Sequence, residues 1–133
     1  MTGSKKTRRP PKSSATAVQS APAIILINPQ LGENIGMSAR AMLNNALGDL
    51  RLVAPVHGWP NENAIKPSVG ADVVLDAVRV FDTTPEALSG LSHVYATTAR
   101  DRDMTKRVLS ARAAAQEMRE VIAAGGTPGV IFG

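Results

Sequence analysis

The sequence predicts an open α/β domain with a mostly parallel sheet and helices on both of its faces. Five short apolar runs, mostly β-branched or aliphatic, alternate with stretches that carry helical spacing or helix-capping residues. This alternation is typical of parallel strands joined by crossover helices. The chain has 133 residues, 44% of them hydrophobic, which is enough for one domain with a buried core.

The five apolar runs are the predicted strands. They are Ile24–Asn28, Leu50–Ala54, Val78–Asp82, His93–Thr97 and Gly129–Phe132. Ligands of open parallel sheets bind at the carboxyl ends of the strands. The last run, which we expect to be buried on both faces, places the final residues at such an end. We therefore expect the sequence to be an N-terminal part of a longer protein.

Four helices are predicted between the strands. They span 35–47, an irregular segment within 61–75 that is interrupted at Pro67 and Gly70, a short segment from Thr84 to before Gly90, and 108–124. Asn34 is the predicted N-cap of the first helix, and Gly48 is predicted to end it. The last helix carries an apolar stripe and ends at Gly125 and Gly126.

The positive charge of the chain, +4 overall, comes from its first 22 residues. This segment has no acidic residue and contains five cations, Lys5, Lys6, Arg8, Arg9 and Lys12, among prolines, serines and alanines. It predicts a disordered basic tail before a domain at 23–133. The tail is either a solubilising leader or an arm that adds sequence-independent affinity for RNA.

Composition excludes several classes of protein and site. The chain has no cysteine, and His57 and His93 lack the spacing of zinc ligands, so we expect no metal site. No apolar run approaches the roughly 20 residues that cross a bilayer, so we expect no membrane span. The absence of a signal peptide and of cysteines favours a cytoplasmic protein.

The turn after the first strand is the first candidate site. Gly32 and Gly36 would let the backbone approach a ligand there, and the free N–H groups of a helix start favour an anion. Arg40 follows on the same helix, and none of the residues three or four positions away is a carboxylate. Its guanidinium either lies near a phosphate or ribose, or it covers an apolar face or pairs across the fold.

The second candidate is the segment 95–107, "YATTARDRDMTKR". Thr97 and Thr98 offer hydroxyls at the carboxyl end of a strand. Four cations follow, Arg100, Arg102, Lys106 and Arg107, together with two aspartates. The segment is either a solvated loop of mixed charge or part of an RNA-binding surface. Trp59 and His57 could form a stacking platform for a base, although a loop tryptophan more often packs against its own domain.

Several strings resemble the SpoU-type RNA ribose methyltransferases. The string "NIGMSARAM" (34–42) resembles the first motif of that family, with asparagine, glycine and arginine on the first helix. "GDLRLVAP" looks like the second strand, "ATTARDR" like the segment after the fourth, and "PGVIFG" like the start of the next motif. The resemblance covers residues 23–133, and within the family it is greatest to the bacterial enzymes that methylate the ribose of tRNA nucleotide 32, cytidine or uridine.

The resemblance implies a SPOUT-type α/β domain that works as a homodimer and binds S-adenosylmethionine in a C-terminal trefoil knot. Arg40 and Asn34 match the catalytic pair, while Thr97, Thr98, Ala99 and Gly133 match positions that line the methyl-donor site. Arg40 and the four cations of 100–107 are the expected RNA contacts. The later motifs lie beyond Gly133, so we expect the knot to be incomplete in these residues and this chain alone to be inactive. The implied substrate is tRNA; alternatives are ribosomal RNA and a non-catalytic RNA-binding module.

Overall fold

A computed structural model describes residues 21–97 and 108–133 as a five-stranded parallel sheet flanked by helices. The strands are β1 (Ala23–Ile27), β2 (Leu50–Val53), β3 (Arg79–Phe81), β4 (His93–Ala96) and β5 (Pro128–Phe132). Their order across the sheet is β3-β2-β1-β5-β4, and every neighbouring pair is parallel. All five predicted strands are confirmed to within one residue at each end, and so is the α/β class.

The helices lie where the sequence predicts them, with different bounds. They are α1 (Gly32–Asn44), α2 (Ile65–Ser68), α3 (Asp72–Asp76), α4 (Thr84–Ala87) and α5 (Ala111–Ala123), and a 3₁₀ turn (Glu62–Ala64) precedes α2. The break predicted at Gly70 is confirmed, with a φ of 80°. The break predicted at Pro67 is wrong, because Pro67 lies in the first turn of α2, where a helix tolerates proline.

Both predicted ends of α1 are wrong by three residues. The helix begins at Gly32, so Asn34 lies inside the first turn and Leu31 is the N-cap, without a side-chain cap. At the other end Ala46, not Gly48, adopts the left-handed conformation, with a φ of 60°. The N–H of Leu47 then donates to the carbonyl oxygen of Met42 at 2.8 Å, which closes the helix before Gly48 is reached.

The core consists of two clusters, one on each face of the sheet. On the first face α1 and α3 pack on β2, and Ile35, Leu50, Leu52 and Val74 are almost completely buried. On the second face the residues of β1 and β2 that alternate with these pack against α4; they are Ala23, Ile25 and Val53, with Ala87 of α4. This alternation follows from the period of two in a strand.

The last crossover, formed by β4, α5 and β5, is more exposed to solvent than the sequence predicts. The phenol of Tyr95 on β4 donates to Glu117 of α5 at 2.5 Å, and register places Tyr95 on the same face as α1. The apolar stripe of α5 has no fully buried residue. Phe132 on β5 is 40% exposed, so the expectation that this strand is buried on both faces is wrong within the described residues.

A buried ion pair ties α4 to the amino end of the sheet. Arg51 on β2 is only 7% exposed; it donates to the carbonyl oxygens of Ala87 (2.7 Å) and Ser89 (3.2 Å) and pairs with Asp49 at 2.9 Å. Arg79 reaches the other oxygen of Asp49 at 3.0 Å. Burial raises the pKa of Asp49, but hydrogen bonds and charges from the two arginines outweigh it and lower the pKa below its ordinary value.

No helix within residues 21–97 and 108–133 is long and apolar enough to cross a bilayer. Residues 1–20 and 98–107 are outside the described residues, so the predicted tail and its role stay predictions.

Candidate functional site at the carboxyl edge of the sheet

The carboxyl ends of four adjacent strands form one edge of the molecule. Ala54, Asn28, Gly133 and Thr97 follow or end β2, β1, β5 and β4 in that spatial order. These four positions include two of the predicted methyl-donor residues, Thr97 and Gly133. The structure therefore brings together, on neighbouring strands, residues that are 36 positions apart in sequence.

Asn28 and Ala54 form an unusual pair at the centre of this edge. Both adopt a left-handed backbone, with φ of 51° and 44°, although neither is glycine. The side-chain Nδ2 of Asn28 donates to the carbonyl oxygen of Ala54 at 3.2 Å, and its backbone N–H donates to Val53 at 2.8 Å. The sequence pattern predicts Asn28 only as the end of the first strand. The Asn-Pro dipeptide at 28–29 is the sequence feature that could have indicated this left-handed turn, because asparagine tolerates the left-handed conformation.

The segments that follow β1 and β2 leave the sheet at this edge and pack against each other. The N–H of Val56 donates to the carbonyl oxygen of Pro29 at 3.0 Å. A Cβ at Gly32 would lie 2.7 Å from Oδ1 of Asn61, and a Cβ at Gly36 would lie 2.1 Å from the carbonyl oxygen of Ala64. That these glycines bring the backbone close to a ligand stays a prediction. They bring α1 close to the segment after β2.

Arg40 lies on α1 with its side chain exposed to solvent. It has no hydrogen bond or ion pair to any of the described residues, so all five guanidinium N–H donors are available to a ligand. Within residues 21–97 and 108–133, Arg40 therefore does not pair across the fold. Asn34, also exposed, accepts a hydrogen bond from the hydroxyl of Ser38 at its backbone oxygen, 2.8 Å away. Its side chain makes no hydrogen bond to Arg40.

Thr97 and Gly133 follow the neighbouring strands β4 and β5 at this edge. The Thr97 hydroxyl donates to the carbonyl oxygen of Ile131 at 3.2 Å, which leaves its oxygen free to accept. A Cβ added at Gly133 would lie 3.2 Å from the Cβ of Ile27, a contact that only a small shift could relieve. Thr97 therefore presents an acceptor at this edge, whereas the backbone of Gly133 packs closely on Ile27.

The remaining predicted site residues, Thr98, Ala99, Arg100, Arg102, Lys106 and Arg107, lie outside the described residues. Trp59 is partly buried against the first core cluster, so it packs its loop onto the domain. The cavity beside it also contains Asp72 and Asp76, whose carboxylates repel a phosphate. Neither feature favours RNA binding on that side of the loop.

No protein-family model matches the chain. It is 42% identical over 110 residues to the tRNA (cytidine/uridine/adenosine-2′-O-)-methyltransferase TrmJ of Pseudomonas aeruginosa, a match that covers 83% of this chain and 42% of that protein. It is 32% identical to the tRNA (cytidine-2′-O-)-methyltransferase TrmJ of Methanocaldococcus jannaschii, covering 84% and 48%. The chain thus spans less than half the length of these relatives.

Solved structures agree with these matches. The crystal structure of TrmJ from Z. mobilis ZM4 is 54% identical and superimposes with a TM-score of 0.79, covering 84% of this chain and 48% of that chain. A probable methylase family protein from Haemophilus influenzae is 33% identical, with a TM-score of 0.74 and coverage of 84% and 44%. The sheet and helices described above are therefore those of a SPOUT-type methylase.

Proposed function

The chain belongs to the SpoU-type RNA methyltransferase family, and from that premise we propose that it acts in S-adenosylmethionine-dependent 2′-O-methylation of a ribose in tRNA. The nucleotide we propose is cytidine or uridine 32 of the anticodon loop. The observation that carries the proposal is the exposed guanidinium of Arg40 on α1, which no described residue pairs with, in a string that resembles the family's first motif. The tRNA methyltransferases to which the chain is similar support the substrate class.

Thr97 and Gly133 are the described residues that we propose border the methyl donor, together with Thr98 and Ala99. The proposal is supported by their places at the carboxyl ends of the neighbouring strands β4 and β5, and by the Thr97 hydroxyl, which donates to Ile131 and can still accept. When bound, S-adenosylmethionine supplies an electrophilic methyl group to an attacking oxygen.

Arg40 is the proposed catalytic cation. A guanidinium is effectively always protonated in proteins, so it is a poor general base. As a fixed cation it orients the RNA phosphate, favours ionisation of the 2′-hydroxyl and stabilises the charge that develops on its oxygen. The proton leaves to phosphate or water. Asn34 contributes from the first turn of α1, where it is exposed, without a hydrogen bond to Arg40.

The partners we propose are tRNA and a second copy of the protein in a homodimer, in the cytoplasm. Arg100, Arg102, Lys106 and Arg107 would add phosphate contacts beside Arg40, since their charges are close in sequence to Thr97. No three His, Asp or Glu side chains within 21–97 and 108–133 are grouped as metal ligands.

Nucleoside mass spectrometry tests the proposal. Unmodified tRNA and ribosomal RNA are each incubated with S-adenosylmethionine and the whole protein, or its Arg40→Ala variant. We expect 2′-O-methylcytidine or 2′-O-methyluridine in tRNA with the first protein only. Methylation of ribosomal RNA alone would overturn the substrate, and binding of RNA without methylation of either would favour a non-catalytic module.

A further inference from the structure

The hydrogen bond between Asn28 and Ala54 fixes the orientation of the Asn28 carboxamide. A carbonyl oxygen only accepts, so the group 3.2 Å from it must be Nδ2, and Oδ1 must point away. The bond joins the ends of β1 and β2, 26 residues apart in sequence, at the point where both chains leave the sheet. Few side chains can do this, since the residue needs both a donor and tolerance of a φ of 51°.

Three further contacts join the segments that follow β1 and β2. The Val56 N–H donates to the carbonyl oxygen of Pro29 at 3.0 Å, Asn61 fills the space beside Gly32, and the carbonyl of Ala64 lies against Gly36. Residues 28–36 and 54–64 therefore pack as one unit. α1, which carries Arg40, is part of this unit at its first turn.

We propose that Asn28 is a positioning residue: it clamps the segment after β2 to the start of α1 and so fixes where bound RNA meets the guanidinium of Arg40. The clamp acts through the loop and the helix, and Asn28 itself need not touch the reacting atoms. This role rests on the proposed function. A displacement of about 1 Å in such a framework can cost as much as roughly a hundredfold in rate.

Two substitutions separate the hydrogen bond from the backbone conformation. Asn28→Asp keeps the size and the tolerance of the left-handed region but removes the donor and faces a carbonyl oxygen with a carboxylate. Asn28→Gly accepts the backbone angle without strain and removes the side chain. Asn45→Asp is the matched control, because Nδ2 of Asn45 donates to the carbonyl oxygen of Ala41 at 2.8 Å at the far end of α1.

The test combines amide hydrogen exchange at Val56 with kcat and KM on unmodified tRNA, using the whole protein. We expect both Asn28 variants to speed exchange at Val56 roughly tenfold and to lower kcat roughly tenfold, with KM for S-adenosylmethionine unchanged. Asn45→Asp should change neither.

Unchanged exchange in Asn28→Asp would overturn the clamp, and faster exchange with normal kcat would overturn the positioning role. Normal activity of Asn28→Gly would show that the hydrogen bond is dispensable and would overturn the proposal as well. If the unsubstituted protein methylates neither tRNA nor ribosomal RNA, the proposed function fails and this role fails with it; the exchange rates then report on the clamp alone.

Discussion

Gly36 and Ala64 are in backbone contact: a Cβ at Gly36 would lie 2.1 Å from the carbonyl oxygen of Ala64 and 2.9 Å from its carbon. The glycine of the string that resembles the family's first motif is therefore a packing residue between α1 and the 3₁₀ turn. Because the obstructing atoms belong to the backbone, no side-chain rotation can relieve the contact.

We expect Gly36→Ala to destabilise the protein by roughly 2–3 kcal/mol, as overpacking typically does. Gly48→Ala is the control, because a Cβ there meets no atom within 4 Å and its φ is not left-handed. That substitution should be neutral or slightly stabilising. Urea unfolding of both variants measures the difference, and equal midpoints would contradict the close approach.

The sequence was sufficient to predict the strands because their apolar runs are short, separate and bounded by turn residues. It was insufficient to predict the ends of α1, because Asn34 and Gly48 are better local capping residues than those at which the helix begins and ends. The helix instead begins at Gly32, where Asn61 packs against it from 29 residues away, and that contact is invisible to local patterns. Tertiary packing overrode the capping preference.

The left-handed Ala46 leads to a second prediction. A non-glycine residue pays roughly 1–2 kcal/mol for this conformation. Ala46→Gly should therefore raise stability by about 0.5–1 kcal/mol, after the greater entropy of unfolded glycine is subtracted. Ala41→Gly, at an exposed position inside α1, should lower stability by about 1 kcal/mol. Thermal unfolding measures both, and a loss of stability in Ala46→Gly would show that Ala46 is not left-handed in solution.

The ion pair of Asp49 with Arg51 gives a prediction about pH. The pKa of Asp49 lies below its ordinary value of 3.8, so its contribution to stability is complete above that value and is lost as the pH falls through the folded pKa. We expect Asp49→Asn to cost roughly 2–3 kcal/mol at pH 7, since it leaves a buried guanidinium without its carboxylate. Near pH 2 the free energies of unfolding of Asp49→Asn and of the unsubstituted protein should become similar.

Urea unfolding at pH 7 and at pH 2–3 measures this convergence. Asp76→Asn is the control, because Asp76 is exposed and has no ion pair among the described residues. The difference in the free energy of unfolding between Asp49→Asn and the unsubstituted protein should shrink at low pH. If it stays constant over this pH range, the Asp49 carboxylate does not titrate with unfolding.

The candidate site was predictable in part. Arg40 could be identified because no carboxylate lies three or four residues from it on its own helix, and the structure adds that no described residue pairs with it from elsewhere. Asn28 could not be identified, because its role depends on the carbonyl of Ala54 on the neighbouring strand. A local sequence pattern can show that a side chain has no partner on its own helix. A hydrogen bond between two loops can be recognised only when the order of the strands in the sheet is known.

Arg40 gives the last prediction. Its side chain is exposed and unpaired within the described residues, so Arg40→Lys and Arg40→Ala should leave the unfolding midpoint nearly unchanged. Lysine keeps the charge but loses the planar fork of donors that binds a phosphate at two points. We expect methyl transfer to tRNA to fall roughly tenfold or more in Arg40→Lys and further in Arg40→Ala. Arg119→Lys, on exposed α5, is the control and should retain activity. Near-normal transfer in Arg40→Lys would mean that charge alone suffices, and near-normal transfer in Arg40→Ala would remove Arg40 from the reaction.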